Sequence, residues 1–303
     1  MSRASEQSRL WLPQYWGMWA GFGFFWLVTK LLTWPEKRRI ARGLAWFFFH
    51  LVPIRRRVVF TNLRLCFPEK TEREIHDLAY AHYGALALGV FETTAAWWEP
   101  LDQLPPHRII GLEHLERALA TGHGVVLLAA HFTTAEMSGV CLGAHLPLGC
   151  LYREPNNPVV ARRWRRHRER IATVAIHFDD LKGLIRALRA GHGIWYAPDQ
   201  GRRTPGSEIL PFFDVPAITN TATGKIAQMT GAAVVPFFAK READHSYTLT
   251  LQPPLENFPS PDASADAIRI NRLFEERIRL APEQYFWVHK RFKARGPGYP
   301  EVY

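Results

Sequence analysis

His131 and Glu136 stand five positions apart in the stretch GVVLLAAHFTTAE, Gly124 to Glu136. A neutral imidazole takes a proton from a hydroxyl near neutral pH. A carboxylate on its other nitrogen fixes the tautomer and stabilises the imidazolium. No serine or cysteine adjoins the pair as an evident nucleophile. The arrangement therefore suits direct attack by an activated substrate hydroxyl. On one regular helix, five positions rotate by about 500° and leave the side chains roughly 140° apart. Cooperation requires His131 in a loop before a helix and Glu136 in its first turns. The residues alone leave a second reading open, in which His131 is a hydrogen-bonded structural histidine and no base.

Val125 to Ala130 is a short apolar run with a β-branched start. It reads as a buried strand covered on both faces, delivering His131 to the top of a sheet. From Arg108 onward strands and helices alternate: a strand at Arg108–Gly111, a helix at Leu112–Thr121, the His131 strand, a helix from about Thr134, and a strand at Leu148–Tyr152. The predicted fold is α/β, a largely parallel central sheet flanked by helices on both faces, with an N-terminal membrane-anchoring helix. GIWYAP, Gly193 to Pro198, is a further strand ending at Asp199-Gln200. In a parallel sheet Asp199 and His131 would face one crevice; as a cap or turn residue Asp199 would be structural. Pro211 to Gly231 reads as a Phe-rich loop leading into a helix closed by Gly231. Strands at Ala232–Ala239 and Tyr247–Leu251 and a helix at Ala263–Leu280 follow.

The chain has 303 residues, a net charge of +10, 47% hydrophobic and 22% charged residues. That is enough for one large domain and an appendage. Its three cysteines lack pair spacing, which suggests neither a disulfide framework nor a zinc site. No cofactor motif and no metal cluster is visible in the sequence. Eleven tryptophans in a basic chain lean towards a membrane interface. Tyr15 to Trp34 is mostly apolar, interrupted by Lys30, and twenty helical residues cover the roughly 30 Å of a hydrocarbon core. Lys37, Arg38, Arg39 and Arg42 follow it, against Arg3 and Arg9 before it, which places the bulk of the chain in the cytoplasm. Leu44 to Ile54, running into Arg55–Arg57, is too short to span and reads as an interfacial segment on anionic lipid. These features divide the chain into an anchor, 1–57, and a catalytic domain, 58–303.

Six arginines lie in RRWRRHRER, Arg162 to Arg170, pointing around the helix and not along one stripe. A solvated basic surface accounts for them. Nucleic acid would need a recognised module beside the charge, and there is none.

HFTTAE resembles the His-x4-Asp/Glu motif of the glycerolipid and lipid A acyltransferases. With Glu in the acid position it is closest in pattern to the late acyltransferases of lipid A biosynthesis in Gram-negative bacteria, the lauroyl type above all. Further elements agree in order: Asn62…Cys66-Phe67-Pro68, YREPNNP from Tyr152, PDQGRRTPG from Pro198, and the Trp-x-His-x-Arg-Phe-Lys ending from Trp287. PDQGRRTPG departs from the phosphate motif of glycerol-phosphate acyltransferases, which makes a simple phospholipid acceptor less fitting.

The resemblance implies an acyl-carrier-protein thioester as donor and a Kdo-bearing tetraacylated lipid A precursor as acceptor. It implies His131 as base with Glu136 as its partner, Arg168, Asp199 and Arg153 positioning substrate or stabilising charge, and no cofactor. It also implies the inner membrane, with the catalytic domain on the cytoplasmic side. Two rivals remain: a related acyltransferase on another glycolipid or lysophospholipid, and a membrane-associated binding protein without the chemistry. The His131–Glu136 pair speaks against the second.

Overall fold

The computed structural model describes residues 12–201, 203–204, 206–296 and 298–303. Arg3 and Arg9 of the expected charge asymmetry, and Arg202 and Pro205 of PDQGRRTPG, lie outside the described residues.

The N-terminal apolar stretch forms two helices. Helix α1, Trp16–Leu31, has 16 residues, about 24 Å at 1.5 Å per residue and short of a hydrocarbon core. Leu32 is extended, and Thr33 opens helix α2, Trp34–His50, with a capping box. The Thr33 backbone N–H donates to Glu36 Oε2 at 2.7 Å. That local chemistry interrupts the run. Among the described residues no helix is long and apolar enough to cross a membrane, which corrects the expected span over Tyr15–Trp34. Helix α2 instead buries Lys37, Ala41, Ala45 and Phe49 at four-residue spacing and packs on α4, Glu72–Trp98. Buried Lys37 pairs with Glu99 at 2.8 Å. Between them α3, Arg56–Cys66, stops before Pro68, and the Thr71–Glu74 capping box starts α4, as the sequence suggests.

Among the described residues seven strands form one sheet in the order β1-β9-β8-β2-β5-β3-β4. They are β1 His107–Ile110, β2 Val125–Leu128, β3 Leu148–Tyr152, β4 Ala172–His177, β5 Gly193–Tyr196, β8 Ala233–Arg241 and β9 Tyr247–Leu251. The strands from β8 to β4 run parallel; β9 is antiparallel to β8, and β1 is parallel to β9. The central strand β2 is buried throughout. Val126, Leu128 and Ala130 belong to the core on one face, Val125, Leu127 and Ala129 to the core on the other. Burying each Val or Leu stabilises by about 1.5–3 kcal/mol. Helices α5 Leu112–Ala120 and α6 Ala135–Gly143 contribute to the second core; α8 Leu181–Arg189, α9 Ala222–Thr230 and α10 Ala263–Leu280 contribute to the first.

Two strand regions differ from expectation. Strand β4 follows helix α7, Pro158–Ile171, with no turn residue between them, so nothing in the sequence punctuates the change. The Phe-rich loop is a hairpin, β6 Ser207–Phe212 and β7 Val215–Asn220. Its two-residue turn is Phe213-Asp214, with φ of 51° and 57°. Two positive φ values suit the right-handed strand twist, but such turns normally carry Asn or Gly. The strain, about 1–3 kcal/mol per residue, is offset by burial of Phe213 against Phe67 and Trp287. The Phe213 N–H also donates to Glu275 Oε1 at 2.7 Å.

Candidate active site

Strands β2 and β5 are neighbours, with Leu128 opposite Tyr196. Ala129 N–H extends the pairing to Tyr196 O at 2.9 Å. His131 and Asp199 each lie three residues past that last pair, at the same sheet edge. They meet: His131 Nδ1–H donates to Asp199 Oδ1 at 2.5 Å. Oδ2 of Asp199 accepts the His131 backbone N–H at 3.1 Å and the Tyr285 hydroxyl at 2.9 Å. The Asp199 side chain is fully buried, while that of His131 is 33% exposed. With Nδ1 committed, Nε2 is the nitrogen left to face a substrate.

The electrostatics follow from that geometry. Burial disfavours imidazolium, but the Asp199 charge and hydrogen bond outweigh it and raise the His131 pKa. Burial likewise works against the Asp199 carboxylate, yet His131 and Tyr285 hold its pKa below the usual value. Burial, together with Asp199, pushes the Tyr285 hydroxyl well above its ordinary range, so it stays a donor.

Tyr285 arrives on a C-terminal segment that splints the histidine loop. Phe132 and Tyr285 form an antiparallel bridge. The Thr133 N–H donates to Gln284 O at 2.8 Å, and the Phe286 N–H to His131 O at 3.0 Å. Asn62 Nδ2 then holds Trp287 O and His289 O at 2.7 and 2.8 Å, which gives the Asn62 motif a physical task. The sequence suggests a basic headgroup surface for this ending. The structure corrects this for Arg291: it is 2% exposed and donates to Ile218 O at 2.6 Å. Tyr285, Trp287, Arg291 and Phe292 are buried, whereas Phe286 is exposed.

Glu136 sits in the first turn of α6, as expected, but it does not supply the carboxylate on His131. Its Oε1 accepts from Arg168 Nη2 at 2.5 Å, and His167 Nε2 lies 3.3 Å from Oε2. The expected His131–Glu136 pairing is therefore corrected to His131–Asp199. The reason is occupancy: α7 carries Arg168 and His167 against the Glu136 carboxylate. Burial opposes that charge, and Arg168 and His167 overcome it and lower the pKa. Arg168 also lies over Trp164, 5.0 Å from the ring centroid.

Arg153 follows β3, the strand beside β5, so it lies at the same sheet edge as His131 and Asp199. Its side chain is exposed and lies 5.8 Å over the Phe178 ring. A cavity of about 50 Å³ is lined by Glu136, Arg168, Leu127, Cys150, Phe237 and Trp195. Trp195 connects it to the dyad, with its ring 6.0 Å from that of His131. A one-sided, oriented base beside an apolar recess with an ion pair on its wall can deprotonate a hydroxyl near an acyl chain.

Comparison with known proteins agrees with that chemistry. The family model for bacterial lipid A biosynthesis acyltransferases matches residues 3–294. The chain is 36% identical over 296 residues to the Escherichia coli K12 lipid A biosynthesis lauroyltransferase, covering 96% of each. It is 32% identical to the palmitoleoyltransferase of the same strain, over 96% of this chain and 95% of that one. To the myristoyltransferase it is 28% identical, over 96% and 91%. A match along nearly its whole length, at these identities, means that this chain belongs to the bacterial lipid A biosynthesis acyltransferase family.

Proposed function

We propose that the enzyme moves a fatty acyl group, lauroyl or similar, from a carrier-protein thioester to the hydroxyl of a 3-hydroxyacyl chain. The acceptor is a Kdo-bearing tetraacylated lipid A precursor. The observation that carries the reading is the His131–Asp199 hydrogen bond of 2.5 Å, with the imidazole partly exposed and the carboxylate buried.

In the proposed step His131 Nε2 removes the acceptor's hydroxyl proton as that oxygen attacks the thioester carbonyl. The new C–O bond forms, the tetrahedral oxyanion collapses and the C–S bond breaks. The imidazolium then returns the proton to the departing sulfur, leaving an ester, a free carrier thiol and neutral His131. Asp199 stabilises the imidazolium throughout. Arg168 and Arg153 are assigned to anionic groups of the substrates, and Glu136 keeps Arg168 aimed.

The proposed location is the cytoplasmic face of the inner membrane. Helix α1 and the end of α2 rest on the lipid there, supported by exposed Trp16, Phe24, Trp46, Phe47 and Ile54 and by the Arg55–Arg57 cluster. The test is acyl transfer by purified protein, offered lauroyl-, myristoyl- and palmitoleoyl-carrier protein with Kdo-bearing lipid A precursor or lysophospholipid, read by mass spectrometry. Transfer to lysophospholipid alone favours the rival acceptor, and no transfer with any pair removes the reading.

A further inference from the structure

Away from the catalytic edge, α7 turns Arg162, Arg163 and Arg166 towards α1 across a cleft of about 280 Å³. The other arginines of the helix have partners: Arg165 pairs with Glu154, Arg168 with Glu136, and Arg170 donates to the carbonyls of Ala96 and Glu99. Arg163 donates to the Trp97 carbonyl and lies 5.0 Å over the Trp98 ring. Its Nε is buried with no partner among the described residues. Arg162 and Arg166, one turn apart, have no acidic partner among the described residues. Burial and the charges of Arg170 and Arg166 push the Arg163 pKa down to about 10. A bound anion would relieve this like-charge crowding.

The opposite wall is aromatic. Trp19, Phe22 and Trp26 line it from one face of α1, at helical spacing. A second stripe of the same helix faces outward, with Phe24, Leu27 and Leu31 at 60%, 47% and 73% exposure. The cleft therefore joins unpaired guanidinium groups to a continuous apolar surface.

We propose that this cleft binds an anionic phospholipid, its phosphodiester held by Arg162 and Arg166 and its acyl chains laid along the aromatic face of α1. A free phosphate or an acidic carrier protein would use the charges but would leave the tryptophan wall without a role. Arginine forks fit phosphate oxygens in pairs, and tryptophan rings sit well where one end is apolar and the other wet. The inference does not depend on which acyl chain or acceptor the enzyme uses.

The test measures binding of short-chain phosphatidylglycerol and phosphatidylcholine to the full chain, with inorganic phosphate and apo carrier protein as competitors. Phosphatidylglycerol is expected to bind at least tenfold tighter than phosphatidylcholine. Arg162→Gln with Arg166→Gln should erase that preference at unchanged thermal stability, and Trp26→Ala should weaken both lipids. Equal binding of the two lipids to the wild-type protein overturns the proposal, whether or not the double variant folds. Displacement of phosphatidylglycerol by equimolar inorganic phosphate reduces the cleft to an anion site and overturns the lipid assignment. A double variant that keeps its lipid preference but loses carrier-protein affinity gives the arginines to carrier docking instead.

Discussion

The imidazole of His131 and the carboxylate of Asp199, 68 residues apart in sequence, meet at 2.5 Å beyond the C-terminal ends of the parallel strands β2 and β5. Leu128 and Tyr196 are register partners, and each strand continues three residues to one of these two side chains. A one-residue slip would turn the side chains of a strand to the opposite face. Close packing of the β2 side chains into the two cores, each in its own place, holds that register. Asp199→Asn keeps the shape but loses the charge and favours the wrong tautomer. Its kcat is expected to fall by about 10³–10⁴-fold, with normal thermal stability and donor KM. A rate within tenfold of wild type would remove Asp199 from the dyad.

The pH dependence has a definite sign. A base must be neutral to act, and Asp199 raises the His131 pKa against the opposing effect of burial. The acid limb of kcat/KM should therefore lie above the ordinary histidine value of about 6.5, with activity rising through it. In Asp199→Asn the limb should move to lower pH, because burial then acts unopposed. A limb that stays in place would mean that another group titrates.

Tyr285 is a positioning residue in this arrangement, since its hydroxyl reaches Asp199 at 2.9 Å and no reacting atom. Tyr285→Phe should lower kcat about tenfold, in line with roughly 1.4 kcal/mol for one hydrogen bond to a charged group. Both KM values should hold, and the acid limb should shift measurably. Loss of thermal stability with an unmoved pH profile would assign Tyr285 to packing alone.

Glu136 and Arg168 should behave as a coupled pair. Their side chains are 16% and 15% exposed, so removing one leaves a partly buried charge uncompensated. Glu136→Gln and Arg168→Gln should each destabilise by about 1–3 kcal/mol, and the double variant by clearly less than the sum. A double-mutant cycle by denaturant unfolding reads the coupling directly. Additive effects would show that the contact contributes nothing to the fold.

His82 predicts an acid-side loss of stability. It is fully buried, with its Nδ1 2.9 Å from the Glu283 carbonyl, and burial lowers its pKa to about 4. The unfolded chain binds this proton more readily than the folded one. Stability is therefore intact above about pH 6.5 and declines as pH falls towards 4, by up to about 3 kcal/mol. His82→Gln should flatten that part of the unfolding curve, and an unchanged slope would place the titration elsewhere.

Much of this organisation was legible in the sequence because it depends on short-range chemistry. The apolar β-branched run before His131, the Gly231 helix end and the Thr71–Glu74 capping box are local signals, and the structure places elements where they predict. The same local physics, applied only to composition, overreached at the N-terminus. Twenty mostly apolar positions suggest one span, whereas α1 ends at Leu31 and the Thr33–Glu36 capping box opens a separate helix at Trp34. The β6–β7 hairpin was hidden because Phe213-Asp214 adopts positive φ without a glycine to announce it.

The site itself was half legible. His131 and Asp199 could each be placed at a strand end from sequence, and the near-sequence acid Glu136 was the natural partner for the histidine. Which carboxylate reaches the imidazole depends on strand order and register, set by side-chain packing across the whole sheet. Tyr285, 154 positions from His131 along the chain, joins the dyad only because the C-terminal segment folds back to pair with the histidine loop. Contacts of that kind are formed by tertiary packing and leave no periodic trace beside the residues that they bring together.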